Sequence, residues 1–198
     1  MMDKVLLSGA SGLLGSFILK WLVNNNIQVR ALIRKSSDRS LIEDVYDQVE
    51  WFECDMLDYL RLEQAFEGCN KVIHAAAVVS FSPSDRKHMI DINVNGTKNL
   101  VDLSLEKNIK HFIHISSVAA VGRPKMELLP DEETPWEQDS STSVYAKSKY
   151  LSELEVWRGI AEGLPAVVLN PSFILGPGDW NKSSTQLFRY VWNENKFY

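Results

Sequence analysis

A tyrosine and a lysine four residues apart, Tyr145 and Lys149, are a pair in this sequence able to do chemistry. On a helix that interval puts both side chains on one face, one turn apart. A free phenol has a pKa of about 10 and is a poor acid or base at neutral pH. An adjacent ammonium favours the phenolate and lowers that value, and a positively charged nicotinamide ring would act in the same direction. The pair can then give or take a proton while a hydride moves. A third group is needed to hold the reacting oxygen. Ser116 and Ser117 stand at the end of the apolar run Phe112-Ile113-His114-Ile115, where a hydroxyl can donate to a carbonyl near Tyr145.

The start of the chain carries a signature that implies a dinucleotide. Ser8-Gly9-Ala10-Ser11-Gly12-Leu13-Leu14-Gly15 follows the apolar Val5-Leu6-Leu7. It precedes a helical pattern with Leu14, Phe17, Ile18, Trp21 and Leu22 on one face. Strand, glycine turn and helix in that order bind phosphate. Glycine lets the backbone turn sharply and approach an anion. The helix N-terminus adds unpaired N–H groups and the positive end of its dipole. The spacing is G-x-x-G-x-x-G, not the commoner G-x-G-x-x-G, so the triplet needs company to carry weight.

The second strand ends in Arg34-Lys35, with Arg39 shortly after. An acidic residue there would bind the adenine ribose hydroxyls and select NAD, whereas an arginine meets a 2′-phosphate. A guanidinium makes bidentate bonds to phosphate. NADP(H) is therefore expected, with NAD the alternative if Arg34 is merely solvated.

The elements that must position these groups alternate along the chain. Strands are expected at 5–7, 27–33, 49–54, 72–75, 112–116 and 166–170. Helical patterns lie between them: a short one after the polar stretch 34–40, one stopping at Gly68 as C-cap, a longer one over 85–108, and one over 145–161. A last helix begins within 184–192. Strands separated by helices mean βαβ units and a parallel sheet, and wholly apolar strands mean helices on both faces. In such sheets ligands sit beyond the carboxyl ends of the strands. Gly9, Arg34, Asp55, Ala75, Ser117 and Asn170 each follow a different strand, so the informative residues converge on one edge. The long irregular stretch 123–143, with Pro124, Pro130, Pro135 and Asp131-Glu132-Glu133, reads as a functional loop with a solvated acidic face.

Bulk properties exclude other classes. The 198 residues are 45% hydrophobic and 24% charged, an ordinary globular composition. The net charge of −5 comes with scattered basic residues, which excludes a nucleic-acid stripe. No apolar run approaches the ~20 residues that span a bilayer. The N-terminus runs directly into the first strand with no signal-peptide core, so a cytoplasmic location is expected. Cys54 and Cys69 form no C-x-x-C and have no histidine at metal spacing; no metal is expected.

The glycine turn, Val72-Ile73-His74-Ala75-Ala76-Ala77, Asn93-Val94-Asn95-Gly96-Thr97-Lys98-Asn99, Ile113-His114-Ile115-Ser116-Ser117, Tyr145-Ala146-Lys147-Ser148-Lys149 and Asn170-Pro171-Ser172-Phe173-Ile174-Leu175-Gly176-Pro177-Gly178 together resemble the extended short-chain dehydrogenase/reductases. This is also called the NAD-dependent epimerase/dehydratase family, and the likeness is to its dihydroflavonol-4-reductase-like and 3β-hydroxysteroid-dehydrogenase-like branch. The resemblance implies a Rossmann-type doubly wound α/β fold over residues 1–178. Residues 179–198 would begin a substrate-binding region that is largely missing, since about 28 residues follow Asn170. It implies Tyr145 as catalytic acid/base, Lys149 as its pKa-lowering partner and ribose ligand, and Ser117, five residues before Gly122, as the catalytic hydroxyl over Ser116. Cofactor contacts are implied at Gly9, Ser11, Gly12, Leu13, Leu14, Gly15, Arg34, Asp55, Met56, Ala75, Ala76, Ala77, Tyr145, Lys149, Pro171 and Ser172. Asn93 would hold structure or water near the site, and His74 and His114 would be core residues. Phe81 and the 123–143 loop are placed to touch substrate. The activity implied is NADP-dependent interconversion of a carbonyl and a secondary alcohol on a small-molecule substrate, in a chain whose relatives are often homodimers. The alternatives are a nucleotide-sugar epimerase or dehydratase with tightly bound NAD, and a regulator that senses NADP without chemistry.

Overall fold

The structure is a computed structural model that describes residues 3–80, 82–122, 131–137, 142–178 and 186–193. Six strands form one parallel sheet: β1 Lys4–Ser8, β2 Gln28–Ile33, β3 Glu50–Glu53, β4 Lys71–His74, β5 His111–Ile115 and β6 Ala166–Leu169. Their order is β3-β2-β1-β4-β5-β6, so the strand order reverses between β1 and β4. The helices are α1 Leu13–Asn24, α2 Tyr59–Ala65, α3 Arg86–Ile90, α4 Gly96–Glu106, α5 Val144–Ala161 and α6 Gln186–Trp192.

Period-two alternation in the strands sorts the core into two layers. Val5 and Leu7 of β1 cluster with Leu19 and Leu22 of α1. Leu6, between them, clusters on the opposite face with Leu62 of α2, Leu100 and Leu103 of α4 and Val156 of α5. Among the described residues, the α1-side cluster reaches as far as Ile73 of β4. Register places Val167 and Leu169 of β6 beside Ile113 and Ile115, and both are about half exposed, at 56% and 47%. A cavity of about 180 Å³ lined by Val5, Leu22, Ile73 and Ile113 opens on that side.

The expected helix over 85–108 is not uniform. Residues Asp91–Asn95 form a π turn, and the Gly96 N–H reaches back five residues to the Asp91 carbonyl. Gly68 is not the cap of α2. Phe66 occupies that position, and Gly68, at φ +74, makes the left-handed turn two residues later. Phe81 and most of the 123–143 loop lie outside the described residues; Trp136 of that loop stacks on Tyr150 of α5, ring centroids 4.4 Å apart.

Candidate active site

The turn after β1 requires glycine at two places. Gly9 has φ +76, and a Cβ on it would lie 2.6 Å from the Ala76 nitrogen. A Cβ on Gly15 would lie 2.0 Å from the Gly9 carbonyl oxygen. The turn is thus folded against the end of β4 at the point where the strand order reverses. Gly12 donates its N–H to the Gly9 carbonyl at 3.0 Å and begins α1. Asp58 caps α2 and Ser143 caps α5 with side-chain oxygens. The start of α1 has neither a side-chain cap nor an acidic residue in its first turn. Its free N–H groups are left to an anion. These residues fit the diphosphate of a dinucleotide.

A cleft of about 200 Å³ runs along this edge. Gly9, Ser11 and Gly12 line it from β1; Arg34 from β2; Asp55 and Met56 from β3; and Ala75, Ala76 and Ala77 from β4. Leu13, Leu14 and Gly15, in the first turn of α1, do not line it, and neither do Tyr145, Lys149, Pro171 or Ser172. Ser37, Cys54, Val78 and Ile92 line it although the sequence reading did not single them out. Ser37 had a local signal: it stands three residues past Arg34, and its hydroxyl accepts the Arg34 N–H at 3.1 Å. Cys54 is no nucleophile, since burial pushes its thiol up to about 11.

The three basic residues after β2 differ. Lys35 reaches Glu53 at 3.7 Å, and Arg39 lies over the Tyr46 ring at 5.1 Å. The Arg34 side chain is exposed and, among the described residues, makes no hydrogen bond or ion pair. Opposite it, the Asp55 carboxylate accepts the Leu57 N–H at 2.9 Å.

The second part of the site is the edge beyond β5 and β6. Ser117 begins a 3₁₀ turn, Val118–Ala120, and its Oγ accepts the Ala119 N–H at 3.1 Å. That leaves its own proton to donate, and its side chain lies close enough to Tyr145 to act on the phenol. Burial raises the Tyr145 phenol above its ordinary value, while Ser117 pulls it down. Ser116 points to a different partner, Glu153. Pro171 accepts the Val118 N–H at 3.0 Å, which places the segment after β6 beside the serine turn, with Ser172 exposed next to it.

Lys149 is 2% exposed, and its Nζ donates to the Ile115 carbonyl at 2.9 Å. One of its three N–H groups is thus anchored on the end of β5, and Ser117 acts downward on the Tyr145 phenol. Burial pushes Lys149 itself down to about 8, against an upward pull from Glu153.

The Asn93–Asn99 motif supports both parts. The Asn93 amide accepts the Val78 N–H at 2.7 Å and donates to the Val78 carbonyl at 3.0 Å and to Ser148 Oγ at 2.9 Å. It ties the loop after β4 to α5. Asn99 donates to the Met56 carbonyl at 2.9 Å, fixing the cleft wall. Thr97 Oγ1 donates to the Asn93 carbonyl and so accepts from His74 Nε2 at 2.8 Å. His74 Nδ1 then accepts from Ser8 Oγ at 2.7 Å, so the chain of bonds fixes the tautomer. Burial, aided by the charge on Lys149, pushes His74 down to about 3 and keeps it neutral. His114, ring centroid 5.1 Å away, is buried with neither ring nitrogen bonded among the described residues.

Residues 5–195 match the profile of the NAD dependent epimerase/dehydratase family. The chain is 32% identical over 178 residues to sterol demethylase protein B of Methylococcus capsulatus, covering 90% of this chain and 53% of that protein. It is 30% identical to a putative dihydroflavonol 4-reductase of Synechocystis, over 93% and 53% of the two chains. It is 28% identical to cinnamoyl-CoA reductase 1 of Petunia hybrida, over 98% and 62%. The chain therefore spans between about half and three-fifths of the curated relatives it matches. Among solved structures, gox2253 superposes with a TM-score of 0.87 at 34% identity, over 98% of this chain and 59% of that one. UDP-glucose 4-epimerase of Thermotoga maritima, solved with UDP-glucose, gives 0.77 at 25% identity, over 88% and 57%.

Proposed function

Because this chain belongs to the NAD dependent epimerase/dehydratase family, we propose that it is the cofactor-binding part of an NADP-dependent reductase or dehydrogenase interconverting a carbonyl and a secondary alcohol. The observation that carries this reading is the Ser117 side chain set beside the Tyr145 phenol at the same sheet edge as the glycine-lined cleft. When bound, the nicotinamide supplies or accepts the hydride. Gly9, Gly12 and the start of α1 would hold the diphosphate, and Arg34 would take the 2′-phosphate. Asp55 and Met56 would meet the adenine, Ala75–Ala77 would line the path, and Pro171 and Ser172 would serve the nicotinamide end. Burial keeps Tyr145 protonated at neutral pH, so it begins a reduction as the acid and recovers its proton in the reverse direction. Ser117 orients the substrate oxygen, and Lys149 supplies the cation of the site. Relatives named as reductases support this chemistry.

A second reading, a nucleotide-sugar epimerase with tightly held NAD, is favoured by the likeness to UDP-glucose 4-epimerase. The unengaged Arg34 weighs against it. Both are tested in the full-length protein by titrating NADPH against NADH, then following NADPH oxidation over ketones, aldehydes and nucleotide sugars. Tyr145→Phe is expected to abolish turnover and spare NADPH binding. Unchanged turnover overturns the assigned chemistry; tighter NADH binding overturns the choice of NADP. Cofactor binding without turnover of any substrate marks a sensor.

A further inference from the structure

One helical turn beyond Lys149, Glu153 receives three hydrogen bonds from three directions. Its Oε2 accepts from Ser116 Oγ at 2.6 Å and from Asn170 Nδ2 at 2.9 Å; its Oε1 accepts from Trp157 Nε1 at 3.2 Å. Asn170 Nδ2 also donates to the Ser117 carbonyl at 3.2 Å. With Lys149 on the Ile115 carbonyl, three consecutive residues at the end of β5 are each held by a different group. Lys149 holds Ile115, Glu153 holds Ser116, and Asn170, itself bound to Glu153, holds Ser117. All three of Glu153's partners are donors, and a carboxylate accepts without donating in return.

We propose that Glu153 is a positioning residue for the reaction: through Ser116 and Asn170 it holds the strand end that presents Ser117 to Tyr145, and through its charge it keeps Lys149 cationic. This rests on the reading of Ser117, Tyr145 and Lys149 given above. The groups facing Lys149 support the second role. His74 of β4 and His114 of β5 are buried and held neutral. Tyr145 on its own helix is a protonated phenol, and Glu153 is the anion that acts on it. The interaction is a through-space one along α5, added to the direct bond on Ile115.

Two substitutions separate the roles. Glu153→Gln can keep its oxygen on Ser116 and Asn170 while losing the charge and the Trp157 bond. Glu153→Ala loses everything. In full-length protein labelled with [13Cε]lysine, the Lys149 resonance is identified by its disappearance in Lys149→Arg and titrated. Glu153→Gln is expected to move its inflection down by about one pH unit, and the alkaline limb of the kcat profile with it. Glu153→Ala is expected to lower kcat roughly tenfold or more through misplacement of Ser117, with the NADPH Kd unchanged. An unmoved lysine titration in Glu153→Gln overturns the electrostatic role. A Glu153→Ala protein that is only less stable, with kcat per folded molecule unchanged, overturns the positioning role. Tyr145→Phe in parallel keeps the readings apart: full turnover there refutes the proposed catalysis, while the lysine titration still reports on Glu153.

Discussion

Replacing Lys149 by methionine should make the protein more stable at neutral pH, and the gain should shrink as pH rises. The side chain is 2% exposed and its pKa is pushed from 10.5 to about 8. Below about pH 8 the folded chain carries a buried ammonium that the unfolded chain carries in water. Between about 8 and 10.5 the unfolded state binds more protons than the folded state, so stability rises with pH in that window. At 1.36 kcal/mol per unit, the full cost of the buried charge is about 3 kcal/mol. Raising the pH from about 7 to about 9.5 relieves roughly 2 kcal/mol of it. Methionine has no such dependence. Unfolding wild type and Lys149→Met in urea at both pH values, and subtracting, cancels every other titrating group. The wild type should gain about 2 kcal/mol on the variant across that interval. A difference that stays flat would refute the placement of the ammonium in the low-dielectric layer between β5 and α5.

Arg34→Ala should weaken NADPH roughly 10- to 100-fold, the worth of a charge-assisted phosphate contact, and leave NADH unchanged in a fluorescence titration. Equal losses for both would remove Arg34 from cofactor selection. Gly15→Ala puts a methyl 2.0 Å from the Gly9 oxygen and should cost about 3 kcal/mol or more while abolishing cofactor binding; a wild-type melting temperature would contradict the geometry of the turn. Asn93→Ala leaves both backbone groups of Val78 without their amide partner and should cost about 3 kcal/mol in denaturant unfolding. Asn93→Asp should be no better, because it sets a carboxylate oxygen against the Val78 carbonyl.

The turn at Gly9 and Gly15 was legible in the sequence because no other residue meets its backbone demands. The edge was legible because six chemically informative positions each followed a strand. Lys149 shows where sequence reading stops. The interval from Tyr145 puts the two on one helix face, but which neighbour the ammonium chooses depends on a carbonyl of β5, and spacing carries no trace of it. Glu153 went unread for the same reason, although the recurrence 145, 149, 153 continues the face and was the available signal. The π turn was invisible: its residues read as helical, and the extra residue shows only in which carbonyl the Gly96 N–H finds. The choice between Ser116 and Ser117 was made by resemblance; the structure bonds the Ser116 hydroxyl to Glu153 and sets Ser117 beside Tyr145.

That surplus residue between Ile90 and Gly96 makes the helix after β4 a phased part. Removing one residue there would turn the five-step reach of Gly96 into an ordinary four-step one and leave the helix beyond it in phase. Removing one from α3, which has no such slack, would rotate everything downstream by about 100°. Thr97 would swing away from His74, and Asn99 from Met56. Point changes on the outer surface of this segment are free to accumulate, while a single-codon deletion in α3 would silence the cleft from behind. The helix counts as well as packs.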